Sequence, residues 1–529
     1  MKNKRYYISF LKYFLFLLVS FCLIQGLKAQ PKKIAFSAAW AYHDEELLPG
    51  ITRYVGNVVF SQDKIIGYCD SAYHYEKENY LEAFGESVRV HINDSVTLYG
   101  KFVVYDGNEK TASISRDVIL MDNTSALYTD SLIYDIKNDV GYYLTGGKMI
   151  NKDNTLTSII GRYHTKNHKV VLNKDVLLVN KTYTMDCDSL AFNTESEIVY
   201  FISRTHLVSD ENTIYTNLGW YDTKKDISLL IDDVKLENKN QRIVGDSLYY
   251  DKILGYGLGW NNIIISDSIK NYIVKGNFAE YFEHGGLSTV TDSTLLILID
   301  QGDSLYLHSD TLKIMIDSLQ DPQLIIAFNK VKFYRGDLQG ACDSLAYLVP
   351  DSILNMYYNP VIWSEDYQLT ADTIRFTILD SANLLLKLCK SAFIVSSLYE
   401  NTEFNQIKGA NIYGYFHNKE LIKVDVINNA ECLYYIQEED SSLIGINSSA
   451  TSEMTIFFKE GQIDGIAFYN SPDGKINPDE SMEKKDRFLK EFRWLEKYRP
   501  NNFRAIYHTP MPRFNLKEPD AEQSSDKDR

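Results

Sequence analysis

Asp130-Ser131-Leu132-Ile133-Tyr134, Asp188-Ser189-Leu190-Ala191-Phe192 and Asp246-Ser247-Leu248-Tyr249-Tyr250 are three copies of one phrase. It reads Asp, a hydroxyl residue, an apolar residue, any residue, and an aromatic. It returns as Asp343-Ser344-Leu345-Ala346-Tyr347 and Asp372-Thr373-Ile374-Arg375-Phe376, and with Ile in the aromatic slot as Asp310-Thr311-Leu312-Lys313-Ile314. Asp70-Ser71-Ala72-Tyr73 is a looser first copy, and degenerate copies led by Gly100, Gly161, Asn217 and Gly276 fall between. From Asp70 to Gly276 the anchors are 27 to 31 residues apart, and from there to Asp310, Asp343, Asp372 and Gly409 the steps are 29 to 37. So even a spacing is the mark of a structural repeat.

Within each copy the apolar residues alternate, which is the period of a strand. Leu132 and Tyr134 share a face, as do Leu190 and Phe192, Leu248 and Tyr250, Leu345 and Tyr347, and Ile374 and Phe376. The opposite face carries Ser, Thr, Ala, Lys or Arg. A period near 30 has room for about three strands of ordinary length. One such unit cannot bury its own apolar face, so the units must stack. The composition agrees, with 39 Tyr and 25 Phe against 11 Pro, since aromatic residues favour strands. The expected fold is all-β: an elongated repeat β-jellyroll or solenoid, with a short C-terminal helix.

The Asp that opens each copy is expected to be a turn or strand-entry residue whose carboxylate accepts backbone N–H groups. A metal ladder is disfavoured, because the glycine-rich nonapeptide of calcium β-rolls is absent. Cys69, Cys187 and Cys342 occupy the same slot of three copies. Stacked rungs would hold the first two roughly 19 Å apart at about 4.8 Å per strand, beyond disulfide reach. They read as small packing residues. Among ten His, only His164 and His168 have a metal-pair spacing, and Lys166-Asn167 between them reads as a turn. No catalytic residue, metal ligand or cofactor site is expected, and the chain is not expected to be an enzyme.

The ends read differently from the middle. Lys2, Lys4 and Arg5, the apolar run Tyr13 to Ile24, and the small residue Ala29 make residues 1–29 a signal peptide. Residues 30–49 are a lead, 50–285 and 286–470 are repeats, and 471–529 is a helical and disordered tail. In that tail Asn477 reads as an N-cap with Pro478 behind it. A helix to about Tyr498 would align Phe488, Phe492 and Leu495. The net charge of −16 argues against nucleic acid as a partner.

Gly56-Asn57-Val58-Val59-Phe60, Ile66-Gly67-Tyr68-Cys69-Asp70-Ser71-Ala72-Tyr73 and Leu81-Glu82-Ala83-Phe84-Gly85-Glu86-Ser87-Val88 carry a family likeness. Their rhythm resembles the OstA-like N-terminal domain of the OstA/LptA-like lipopolysaccharide-transport proteins. The likeness is clearest over residues 50 to about 200 and continues more weakly to about 470. It implies a bent, open β-jellyroll whose apolar groove carries lipid acyl chains. It also implies periplasmic or cell-envelope placement with an outer-membrane association, lipopolysaccharide or a related lipid as cargo, and other envelope lipid-transport proteins joined by β-edge pairing. The sequence is longer than a single bridging module and leaves no room for an outer-membrane barrel after the repeats. The alternating pairs from Leu132 to Phe376 are then groove candidates. The alternative is a structural or protein-interaction repeat with a closed core and no lipid.

Overall fold

The computed structural model describes residues 32–46, 49–300, 302–319, 321–398, 401–437, 443–460, 462–478 and 481–512. The signal-peptide reading and the charged end beyond residue 512 lie outside them. The described chain is all-β, and its long strands pair antiparallel with their neighbours in sequence. It divides into two compact units: residues 1–210 with 222–224, and residues 211–221 with 225–529.

A repeat of about 30 residues is one hairpin of two long strands, not three short ones. Thr111–Met121 and Ala126–Asp135 are such a pair. The strands are long because each passes through a β-bulge at its middle instead of ending there. Register shifts fall at Val55/Val58, Ser115/Val118 and Asn173/Val176 in the first unit. The second has them at Ile231/Val234, Phe328/Val331 and Cys389/Ala392. Two consecutive left-handed residues make each bulge, among them Arg116-Asp117, Lys174-Asp175, Asp232-Asp233 and Lys390-Ser391. Such a bulge bends the strand.

The repeated Asp sits opposite that corner. Ser115 pairs with Ser131 and Val118 with Thr129, so Asp130 faces Arg116-Asp117. Asp188 and Asp343 are placed in the same way. The carboxylate is therefore a mid-strand corner residue and not a strand entry. It still accepts hydrogen bonds, from Glu86 N to Asp70 at 3.0 Å and from Asn262 Nδ2 to Asp246 at 3.0 Å.

The bend gives every long strand two limbs. The first limb ends in turns such as 76–79 and 107–110, the second in turns such as 63–64 and 93–95. In the first unit the limbs face each other: Phe60 of the second limb lies 6.4 Å from Tyr105 of the first, ring centre to ring centre. Gly67 leaves room for that aromatic layer, since a Cβ there would come within 1.9 Å of Phe60 Cζ. Phe333 lies over Gly340 in the same way in the second unit.

The C-terminal helix is not formed. Asp473–Asn477 is a strand paired with Ile446–Ala450. The described residues after it include 3₁₀ turns at Lys484–Arg487, Glu496–Tyr498 and Ala505–Tyr507 and no α-helix. A helix would turn one stripe of side chains to the sheet. The extended chain instead packs Leu489, Phe492, Trp494 and Leu495 onto it, and buried glutamines of the sheet supply its backbone with partners.

Candidate functional site

The inner face of the bent sheet differs between the two units. In the first, Leu132, Tyr134, Leu190 and Phe192 are fully buried, at 1% exposure or less. Leu120, Met149, Leu178 and Met185 of the same unit are equally buried. A closed face of this kind is packed core.

Polar groups seal the mouth of that unit, where the limb tips meet. Gln62 Nε2 donates to the Gly107 carbonyl at 3.0 Å, and the Tyr105 hydroxyl donates to Gln62 Oε1. Asn151 Nδ2 donates to Thr194 O at 3.1 Å. The Tyr134 hydroxyl pairs with Thr165 Oγ1 at 2.8 Å, and burial pushes its phenol up to about 12. Asp63–Lys110 and Lys152–Glu197 form ion pairs from one limb tip to the other. Lys110, and after it Lys32, hold the Asp63 carboxyl below its ordinary range.

In the second unit a floor of side chains at the bend is fully buried, including Leu312, Met356, Ile374, Leu388, Ile412 and Met454. Leu345 and Ile374 of the groove candidates belong to this floor. Towards the limb tips the same inner face becomes half-buried. Tyr347 and Phe376 lie there, and so do Leu248 and Tyr250 in their own strand. Ile325, Leu354, Leu384 and Phe416 extend the row on the first limb. Leu338, Ile394, Ile407 and Tyr434 make a facing row on the second. The result is an apolar strip, packed at its base and reachable by solvent along both walls. A tip-to-tip ion pair crosses its mouth, Lys270 to Asp321 at 3.1 Å. The wall residues absent from the Asp phrase carried a weaker signal, the period-two run Leu384-Leu386-Leu388.

Chemistry beyond packing is sparse. Among the described residues no group of three or more His, Cys, Asp or Glu is placed to hold a metal ion. His164 and His168 are separated by the 3₁₀ turn Thr165–Asn167. The described cysteines are free thiols, with Cys69, Cys342 and Cys432 buried. Burial pushes the Cys69 and Cys432 thiols up to about 12 and the Cys187 thiol to about 11. A thiol so shifted stays protonated and unreactive at neutral pH.

A family model described as OstA-like protein matches residues 40–188 and, again, 184–284. No curated protein matches the chain. Among solved structures the chain is similar to the crystal structure of LptH, the LptA-homologous periplasmic component of the lipopolysaccharide transport device of Pseudomonas aeruginosa. The identity is 15%, over 32% of this chain and 80% of that one, with a TM-score of 0.11. That score is too low to superpose the two as wholes. Residues 40–284, which carry the bent-strand repeat, thus match the OstA-like family twice in tandem.

Proposed function

We propose that the chain is a lipid-binding scaffold of the cell envelope that takes part in lipopolysaccharide transport and outer-membrane assembly. Its apolar strip in the second unit shields acyl chains from water. The observation that carries this reading is the pair of facing half-buried rows, Tyr347 and Phe376 on one limb and Ile394 and Ile407 on the other. A continuous apolar surface left reachable by solvent is costly to a soluble protein unless something binds it. Acyl chains suit it because each buried methylene contributes roughly 0.8 kcal/mol, without any directional polar group. The scaffold needs no nucleophile, general base or metal, so the reading is of a carrier and not an enzyme.

The first unit favours the other reading for its own residues. Its inner face is closed and latched, and serves as a structural module. Partners would join at sheet edges. Trp40–His43 pairs with Thr52–Val55 and exposes Trp40 and Tyr42.

The test is lipid analysis of the full chain purified from the envelope without detergent. Acylated lipid should co-purify with the native protein and be lost from Tyr347→Asp and Phe376→Asp. A lipid-free native protein, or equal lipid in the variants, would overturn the reading.

A further inference from the structure

The second limb of the second unit buries residues on both of its faces, unlike its counterpart in the first unit. In the first unit this limb buries Leu120, Leu127 and Leu178 inward and exposes Met121, Tyr128 and Leu177 outward. In the second unit inner residues of this limb such as Leu307, Phe333 and Ile362 are buried, while Leu338, Ile394, Ile407 and Tyr434 are half-buried. Its outer residues Trp363, Val395, Leu433 and Tyr435 are fully buried as well.

What buries them is the chain's own segment 481–512. Leu433 and Tyr435 pack against Met482 and Leu489. Phe393 and Phe404 pack against Phe492 and Trp494. Trp363 packs against Leu495 and Tyr498. Farther on, Phe503 stacks on Tyr306 at 4.8 Å and Tyr507 packs at a tilt against His308 at 4.6 Å. The segment thus runs back across the sheet from strand Leu443–Lys459 to strand Leu305–Ile316.

Two buried glutamines hold its backbone as a neighbouring strand would. Gln406 Nε2 donates to Arg487 O at 2.8 Å, and Leu489 N donates to Gln406 Oε1 at 2.8 Å. Gln368 repeats the pattern with Arg493 O at 2.8 Å and Leu495 N at 2.6 Å. At the far end the buried Lys332 ammonium donates to Ile506 O at 3.2 Å and to Thr509 O.

We propose that residues 481–512 are an external brace that holds the second limb of the second unit away from the first and so keeps the apolar strip open. The identity of what enters the strip rests on the lipid reading above. The physical reason is a competition between two faces. A sheet limb needs one apolar face out of water. In the first unit the facing limb supplies that burial, and the mouth closes. In the second the brace adds burial from outside, so the limb is rigid without its inner face closing fully over the strip. Among the described residues no segment covers the first limb in this way, and Lys313, Arg375, Lys387 and Lys423 stand on its outer face.

The brace should therefore control the strip from a place that lipid never touches. In the full chain, Gln368→Ala with Gln406→Ala should free the segment. A fluorescent palmitate probe should then bind about fivefold more weakly or worse, the low end of ordinary coupling between sites. Spin labels at the limb tips Asp366 and Lys419 should report a shorter or broader distance than in the native chain. Fast hydrogen exchange over residues 487–495 would certify that the segment is free. If it is free while probe affinity and label distance stay native, the brace proposal is overturned. Should the double variant fail to fold, a protease site inserted after Asn477 allows the segment to be cut from folded protein, with the same two readouts. A native chain that binds no palmitate would sink the lipid reading, and the label distance would still decide the brace.

Discussion

Ile374 and Phe376 stand two residues apart on one strand and one face, and their environments separate packing from binding. Ile374 is fully buried in the floor, whereas Phe376 is half-buried on the wall. Ile374→Ala should cost about 2–5 kcal/mol in a urea titration, the usual penalty for a cavity in a rigid core. Phe376→Ala should cost clearly less, and weaken binding of an acyl probe instead. Equal costs would mean that the wall is core. A second residue-scale expectation concerns pH. Burial, more than any neighbouring charge, pushes the imidazoles of His74 and His308 below their ordinary range. The unfolded chain takes up a proton on each below about pH 6.5, while the folded chain resists it. The stability they contribute is therefore present above that pH and drains as pH falls below it, by at most about 1.4 kcal/mol per unit per ring. Urea midpoints should drop between roughly pH 7.5 and 5.5, and less so in His74→Phe. An unchanged drop in that variant would remove His74 from the account.

At the scale of the element, the corner of the strand is the decisive feature, and the sequence disclosed it only in part. The Asp phrase marked its place, because Asp stands opposite most of the bulges. The bulge itself was hidden: Arg116-Asp117, Lys174-Asp175 and Lys390-Ser391 share a left-handed backbone, but no single residue type is common to all three. Among the left-handed corner residues Gly56 is a glycine, whereas those of these three pairs are not. Hence the period was legible, while two bent strands passed for three straight ones. The corner predicts its own mutants. Asn262→Val should destabilise by about 1–3 kcal/mol, the ordinary strain of a β-branched residue held left-handed, and it also removes the hydrogen bond to Asp246. Asn262→Gly should be much milder in the same thermal melt, and a reversed order would contradict the bulge. The brace was misread for a different reason. Phe488, Phe492 and Leu495 fit a helical spacing by themselves, and the glutamines that hold the segment extended lie 81 to 127 residues away in sequence.

At the scale of the molecule, one repeat supports two outcomes. The first unit closes its inner face with tyrosine hydroxyls, amides and tip-to-tip ion pairs, so Leu132, Tyr134, Leu190 and Phe192 are core. The second unit moves part of its burial to the outside, and Tyr347 and Phe376 are left on walls that solvent reaches. The inward ladder of the Asp phrase was legible as apolar and periodic. Which rungs are sealed was not, because sealing depends on limb tips such as Gln62 and Gly107, 45 residues apart, and on a segment far downstream. The central claim is that lipid occupies the second unit and not the first. A photo-crosslinking phenylalanine placed singly at Tyr134, Phe192, Tyr347 and Phe376 in cells tests it most directly. The account predicts lipid adducts at Tyr347 and Phe376 and none at Tyr134 and Phe192. Adducts of equal yield at Tyr134 and Phe192, or no lipid adduct at Tyr347 and Phe376, would contradict it.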